Sequence, residues 1–120
     1  FVPDHKEVET LLSACAIGLA LYEPDPQSLT WYTDPSKPKQ YMPFGLPVII
    51  TDVPWIAQEV KAKGLGLVSE YKKESFVKAA VKLLTDDKFY RECRENAIEF
   101  ASNLEWGNIF ENALSCSLKN

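Results

Sequence analysis

The apolar positions of this chain change their spacing along its length, and each spacing predicts a type of element. Near the start, Asp4 and Glu7 have the spacing of a capping box, and an apolar stripe at i, i+3, i+4 and i+7 runs from Val8 to Cys15. Three short continuous apolar runs follow, a pattern typical of strands buried on both faces. The predicted elements are a helix over 4–15 and strands over 16–22, 47–51 and 65–69.

Helical spacing fills the segments between and after these strands. A proline-containing turn begins a helix at Ser36, and Gly45 follows its end. Asp52 is expected to cap the next helix, which Gly64 stops. Beyond the third strand, the apolar stripes have helical spacing throughout. The predicted helices cover 36–44, 54–63 and 74–118.

Strands that alternate with helices and are apolar throughout predict a parallel sheet with right-handed crossovers. The predicted fold class is α/β, a Rossmann-like parallel sheet of three to four strands with flanking helices. A fourth strand is expected only if Phe1 and Val2 are the end of a strand. Doubly wound sheets usually have about five or six strands, so we expect residues 1–120 to form a partial domain.

Composition narrows the class of protein. The chain has 120 residues, of which 46% are hydrophobic and 25% charged, and these values are those of one globular domain. The net charge is −4 and no stripe of lysine and arginine is present, so we expect no nucleic-acid partner. No apolar run approaches the ~20 residues that span a bilayer, and no signal-peptide pattern begins the chain.

The cysteines and the histidine give no sign of a metal site. Cys15, Cys93 and Cys116 are odd in number and have no metal-ligand spacing, so we expect reduced, mostly buried thiols in a cytosolic protein. His5 is expected to be a solvated residue of the first helical turn rather than a ligand or a base.

The stretch DPSKPKQYMPFG, residues 34–45, is the candidate for binding chemistry. Ligands of open parallel sheets bind beyond the carboxyl ends of the strands, where the loop after residue 22 leads into this helix start. Free backbone N–H groups, with Lys37 and Lys39, favour an anion there, although Pro38 removes one donor. The residues alone leave two interpretations open, an anion site and an ordinary solvated helix start. They show no nucleophile–base pair and no carboxylate pair.

The run DPSKPKQYMPFGLPVIITDVPWIAQEV, residues 34–60, resembles the C-terminal domain of group 1 retaining glycosyltransferases, which have the GT-B fold. The flanking segments also look like this domain, so the resemblance covers nearly the whole chain and implies a truncated GT-B C-terminal domain. The positions that match the family motif are Pro35, Ser36, Lys37, Gln40, Tyr41, Gly45, Pro47, Val48, Ile49, Thr51 and Asp52.

The resemblance implies that this domain binds a nucleoside-diphosphate sugar, without a metal or other cofactor. By position, Ser36 and Lys37 would face the donor phosphates and Gln40 the ribose. The residues that would approach the sugar are Thr33, Asp34 and Pro35. No catalytic residue is assigned.

The chain departs from the family motif in three places. Gln40 replaces the usual glutamate, and its uncharged amide oxygen accepts weaker hydrogen bonds from hydroxyl groups. Tyr32 falls where the family has its other acidic residue, and Pro43 stands where small residues are usual.

The implied function is transfer of the sugar to a glycan or lipid-linked acceptor, bound through an N-terminal domain that these residues do not include. This chain alone is then expected to be inactive. Its expected location is cytoplasmic, at the inner face of the membrane in a longer protein. The alternative is a non-catalytic α/β interaction module derived from the same fold. For either, strand 16–22 is expected to be an edge strand that pairs with a second copy.

Overall fold

A computed structural model describes residues 4–118, and over this range the predicted fold class is confirmed. Three parallel strands, β1 (Gly18–Ala20), β2 (Val48–Thr51) and β3 (Gly66–Ser69), form one sheet in the order β1-β2-β3. The helices are α1 (His5–Ser13), α2 (Ser36–Tyr41), α3 (Ile56–Lys63), α4 (Lys73–Thr85), α5 (Asp87–Ser102) and α6 (Trp106–Leu118). Short 3-10 turns cover Leu29–Trp31 and Met42–Phe44. The expected fourth strand at Phe1 and Val2 lies outside the described residues.

The central strand β2 divides the core in two. Val48 and Ile50 point to the face covered by α3 and by the second half of α5, where Val60 and Ala97 are buried. Ile49 points to the opposite face, among residues of α4 and the first half of α5. Both faces of β2 are therefore buried, as its continuous apolar run predicts.

Helix α5 closes the amino end of the sheet. Three of its side chains donate hydrogen bonds to backbone carbonyl groups just before β1, β2 and β3: Tyr90 to Ala16 at 2.7 Å, Arg94 to Gly45 at 3.1 Å and Asn96 to Gly64 at 3.3 Å. The order of these residues along α5 is the order of the strands in the sheet. The opposite edge, where the strands end, carries the connecting loops.

Gly66, at the start of β3, allows the closest backbone approach in the sheet. Its φ is +151°, and a Cβ atom at this position would lie 2.0 Å from the backbone oxygen of Val48. Only glycine fits there, because the adjacent strand occupies the place of a side chain.

Burial on both faces is wrong for β1. The side chain of Leu19 is 51% exposed, because β1 lies at the edge of the sheet and α4 packs against β2 and β3. Helix α1 has the predicted apolar stripe, but it buries no residue, and Leu11 is exposed.

One of the two expected helix caps is confirmed. The Lys6 N–H donates to the Asp4 carboxylate at 2.9 Å, so Asp4 caps α1. The prediction for Asp52 is wrong, since Trp55 is the residue before α3 and makes no side-chain cap. After β2 the chain makes a tight turn, in which the Val53 N–H donates to the Thr51 carbonyl, and the helix starts too late for Asp52 to cap it.

The three thiols are free, but the expectation that most are buried is wrong. Cys93 is buried between α4 and α5, and desolvation there raises the pKa of its thiol. Cys15 is exposed because it lies beyond the end of α1, and Cys116 is exposed on α6. No group of three or more potential metal-ligating side chains occurs among residues 4–118. Within the same range, no helix has the length and apolar character needed to cross a membrane.

Candidate functional site at the carboxyl edge of the sheet

The loop after each strand contains a three-residue turn, which begins at or directly after the last residue of β2 and β3 and three residues after the end of β1. The turns are closed by backbone hydrogen bonds of 2.8–2.9 Å, from Asp25 to Glu23, from Val53 to Thr51 and from Lys72 to Glu70. The three loops therefore turn close to the strand ends and share one edge of the sheet.

Thr51 ties the first loop to the end of β2. Its side chain is buried, and its hydroxyl accepts from the Tyr22 N–H at 2.8 Å and donates to the Tyr22 carbonyl at 2.7 Å. The Thr51 hydroxyl thus satisfies both the N–H and the carbonyl of Tyr22. Tyr22 lies two residues after β1, where the backbone no longer pairs with β2. The start of the loop over residues 23–35 is held relative to the central strand.

The first loop is organised by local hydrogen bonds. The Asp25 carboxylate accepts from the Gln27 N–H at 2.9 Å, and the Ser28 hydroxyl accepts from the Thr30 N–H at the start of the 3-10 turn. Leu29 and Tyr32 in this loop are exposed, so the loop presents apolar surface at the edge of the sheet.

Helix α2 starts at this edge with its first turn uncapped. Pro35 precedes it in an extended conformation, and no side chain accepts from the first N–H groups. Ser36 and Lys37 are exposed, whereas Pro38 is buried in the core. The Lys39 ammonium pairs with the Asp34 carboxylate, while Lys37 has no ion pair within residues 4–118. Of the two lysines, Lys37 is therefore the cation that a ligand can reach.

Tyr41 fixes α2 against β1. Its ring lies where a Cβ of Gly18 would be, at 2.3 Å, and its hydroxyl donates to the Leu19 carbonyl at 3.3 Å. Burial raises the pKa of the Tyr41 phenol. The absence of a side chain at Gly18 allows this contact, which positions the helix that carries Ser36 and Lys37.

The predicted site residues are brought together in one short stretch. Ser36 and Gln40 are one helical turn apart and share a face of α2, and both are exposed. The rest of the set lies in the loop end and the first turn, at Thr33, Asp34, Pro35 and Lys37. Among these predicted site residues, Asp34 already has its carboxylate in an ion pair, with the Lys39 ammonium.

The edge also carries aromatic residues that the sequence reasoning did not select. Trp55 follows β2 and is 56% exposed, and Tyr71 follows β3 and is 48% exposed. The Tyr71 ring packs edge-on against Phe76, with the ring centroids 5.9 Å apart. Next to it, a hydrogen bond of 2.7 Å with Lys72 lowers the pKa of Glu70 and raises that of Lys72. The available signal was an aromatic residue a few positions after the second and third apolar runs.

Comparisons with known proteins give no match to a family model, to a curated protein or to a solved structure. Any assignment of function therefore depends on the geometry of this edge and on the resemblance of residues 34–60.

Proposed function

We propose that this chain is the donor-binding part of a GT-B glycosyltransferase and holds a nucleoside-diphosphate sugar at the start of α2. The observation that carries the proposal is the uncapped first turn of α2, with Lys37 unpaired among the described residues, at the carboxyl edge of a parallel sheet. Backbone N–H groups and a cation are the donors that a diphosphate requires.

In the proposed complex, Ser36 and Lys37 contact the phosphates, and Gln40 accepts from or donates to ribose hydroxyls on the same face of α2. The residues proposed to lie beside the sugar are Thr33, Asp34 and Pro35. Lys37 and the first turn stabilise the diphosphate as it departs, which is the contribution of this half to transfer. The sugar passes to a glycan or lipid-linked acceptor, and the proposed location is the cytoplasm.

The test is an NMR titration of the 15N-labelled chain with UDP, GDP and ADP. We expect saturable shifts of the amide signals of residues 33–37 with at least one of the three nucleotides. Lys37→Ala should weaken binding about tenfold, because a hydrogen bond to a charged group contributes roughly 1.5 kcal/mol or more. Lys78→Ala removes an exposed lysine of α4 on the other face of the sheet and should leave the affinity unchanged.

Gln40→Glu is the second variant of this test. A carboxylate accepts stronger hydrogen bonds from ribose hydroxyls than an amide oxygen does, so we expect tighter binding of the same nucleotide. Shifts that are absent, or identical in the chain and in Lys37→Ala, would contradict the phosphate site.

The alternative function is a non-catalytic interaction module, and one observation favours it. Helix α6 exposes Trp106, Phe110 and Leu114 on its surface, and exposed apolar surface is typical of a protein-binding face. The nucleotide titration separates the two functions, since a module of this kind has no reason to bind a diphosphate.

A further inference from the structure

A groove lies along the outer edge of strand β3. Among residues 4–118, β3 pairs only with β2, so none of these residues forms a strand on its other side. The groove separates this edge from helix α4 and has a volume of about 320 Å³, which is within the usual range of ligand sites, about 300–1,000 Å³. One wall is β3 and the other is α4, and the residues used below are Leu67, Val68, Ser69, Lys78, Ala79 and Lys82.

The outer side of β3 presents backbone groups that a further strand can use. In a parallel pair, alternate residues of a strand direct their N–H and carbonyl groups toward the neighbouring strand. The Val48 N–H donates to the Leu65 carbonyl at 3.0 Å, so Leu65 and Leu67 direct their backbone groups toward β2 and Val68 directs its groups outward. The edge therefore offers one donor and one acceptor at Val68 for strand addition.

The side chains of β3 also suit an additional strand. Leu67 packs with the cluster under α4, and Val68 packs with the cluster under α3, so the two lie on opposite faces. Both are only half-buried. Strand β3 contains no charged residue and no proline, which are the features that commonly protect an exposed edge from pairing. A strand added at this edge would cover both side chains.

Two lysines set the charge of the groove. Lys78 and Lys82 are exposed on α4, and neither is in an ion pair within residues 4–118. The Lys82 ammonium lies 4.5 Å from the centre of the Phe89 ring, and this contact limits its movement. The Glu70 carboxylate also borders the groove, but it is already paired with Lys72. The groove is therefore cationic, although the chain has a net charge of −4.

The spacing of the two lysines matches the repeat of an extended chain. They are one helical turn apart, and Cβ atoms at that separation lie about 5–6 Å from each other. In a strand, every second side chain is on the same face, about 6.6 Å from the previous one. Carboxylates at positions i and i+2 of an added strand can therefore each reach one lysine.

We propose that the edge of β3 and helix α4 bind an extended acidic segment of a partner protein, which adds a strand to the sheet and pairs its carboxylates with Lys78 and Lys82. A second copy of the chain is a poorer fit. A symmetric pair of β3 edges would bring the lysines of both copies to one interface, where like charges repel. The inference does not depend on the proposed donor site, because α2 contacts β1, at the opposite edge of the sheet.

The test is an NMR titration of the 15N-labelled chain with the synthetic peptide acetyl-Ser-Glu-Val-Glu-Val-Glu-Ser-amide. A final peptide concentration of about 2 mM detects a dissociation constant of about 1 mM. We expect saturable shifts of the amide signals of residues 67–69 and 75–82. The Val68 N–H should also exchange more slowly with solvent, because it gains a hydrogen-bond acceptor. The signals of residues 33–37 should not move.

Charge reversal tests the role of the lysines. Lys78→Glu combined with Lys82→Glu should weaken peptide binding about tenfold or more, because two attractive pairs become repulsive. Lys6→Glu combined with Lys61→Glu is the matched control, since it makes the same change in net charge at exposed positions of α1 and α3. These helices do not line the groove, so the control should bind within about twofold of the unaltered chain.

Two altered peptides separate strand pairing from charge. Replacement of both valines by proline keeps the glutamates but removes backbone donors and disfavours pairing. Replacement of the glutamates by lysine keeps the pairing pattern and reverses the charge. Each altered peptide should bind about tenfold more weakly or worse, because strand addition needs the backbone groups and the lysines select acidic side chains.

Several results would overturn the proposal. The absence of shifts at the highest peptide concentration would remove the site. Equal binding of the valine and proline peptides would mean contact through charge without strand addition. Equal binding of the acidic and lysine peptides would exclude selection of an acidic partner. A Val68 signal that shifts with protein concentration in the absence of peptide would identify a second copy as the occupant of the edge.

Discussion

Tyr22 combines a well-satisfied backbone with an unsatisfied side chain. Both of its backbone polar groups bond to the Thr51 hydroxyl, but its own hydroxyl is buried with no hydrogen-bond partner. A buried polar atom without a partner costs about 1–3 kcal/mol of stability. The phenol is also harder to ionise in the folded state, because desolvation raises the pKa of Tyr22 above its ordinary value near 10, with the neighbouring Tyr41 as the smaller cause.

Tyr22→Phe should therefore stabilise the chain and reduce its sensitivity to alkali. Because the folded-state pKa of Tyr22 is raised, its ionisation does not affect stability below the unfolded-state pKa of about 10, and stability falls as the pH rises from there through the folded-state value. Urea unfolding at pH 8 should show a gain of about 1 kcal/mol, and the gain should grow at pH 10.5. Tyr32→Phe, at an exposed position, is the control, and a Tyr22→Phe effect no larger than this control would contradict the expectation.

At the level of single residues, the sequence predicts local chemistry better than side-chain pairing. The cap at Asp4 was predictable because it depends on residues within one turn. The pairing of Lys39 with Asp34 was not, because it depends on the path of the loop before α2. The uncapped start of α2 at Ser36 follows from the proline before it, so the position of the candidate anion site was predictable. The residue pattern alone did not distinguish Lys37 from Lys39 as its cation, and only the resemblance selected Lys37.

At the level of elements, continuous apolar runs identified all three strands. They did not predict whether both faces of a strand are buried, because that depends on which strands and helices pack beside it. The central β2 is buried on both faces, whereas β1, with a similar run, exposes Leu19 because of its place at the edge. The closure of the amino end by α5 had no local signal, since its hydrogen bonds join residues 32–74 positions apart.

Helix α6 is the element least connected to the core. Residues 106–117 are all exposed, and their apolar stripe includes stacked Trp106 and Phe110 rings at 5.8 Å. Removal of residues 105–120 should therefore leave the free energy of unfolding within about 1 kcal/mol of the full chain, since little buried surface is lost. Thermal or urea unfolding followed by circular dichroism measures the difference.

Leu83→Ala gives the comparison for this truncation. Leu83 is buried against β2, and its loss should cost about 2–5 kcal/mol through the cavity it leaves. If the truncation costs as much as Leu83→Ala, α6 has a structural role in the core that its exposure does not indicate.

The whole molecule has more surface than its mass requires. Its accessible surface is 8469 Å², whereas a folded monomer of 13.6 kDa is expected to expose about 6,600 Å². Its radius of gyration is 15.6 Å, against about 13.6 Å for a compact domain of this length. The excess of roughly 1,900 Å² is about twice the 800 Å² that each partner of a standard protein interface buries.

We propose that part of this surface lies between β1 and α4 and that a second copy of the chain covers it. One side of α4, with Ala79 and Lys82, borders β3. We place its opposite side toward β1 and Leu19, because α4 packs on β2 and β3 and β1 is the strand beyond β2. That side exposes an aliphatic stripe of Val77, Val81 and Leu84. The Tyr41 hydroxyl already bonds to the Leu19 carbonyl, so we expect side-chain packing to contribute more to the dimer than pairing of the strand edge.

Sedimentation equilibrium at about 100 μM should then show a dimer. Val81→Lys places a charge in the stripe and should shift the chain toward monomer by about tenfold or more in dissociation constant, because a charge is costly in an apolar contact. Leu114→Lys makes the same change on α6 and should have no effect on this equilibrium. A monomer at the highest concentration, or equal effects of the two variants, would remove the proposed interface.

The hydrogen bonds between α5 and the loops before the strands also set an order of events during synthesis. Tyr90 is made 74 residues after Ala16, its acceptor, and all three strands are complete before α5 begins. Closing so long a loop carries an entropic cost that is recovered only when the late contacts form. On the ribosome, the amino end of the sheet therefore stays uncovered until residues 87–102 have left the exit tunnel. We expect the nascent chain to become stable only when α5 has emerged.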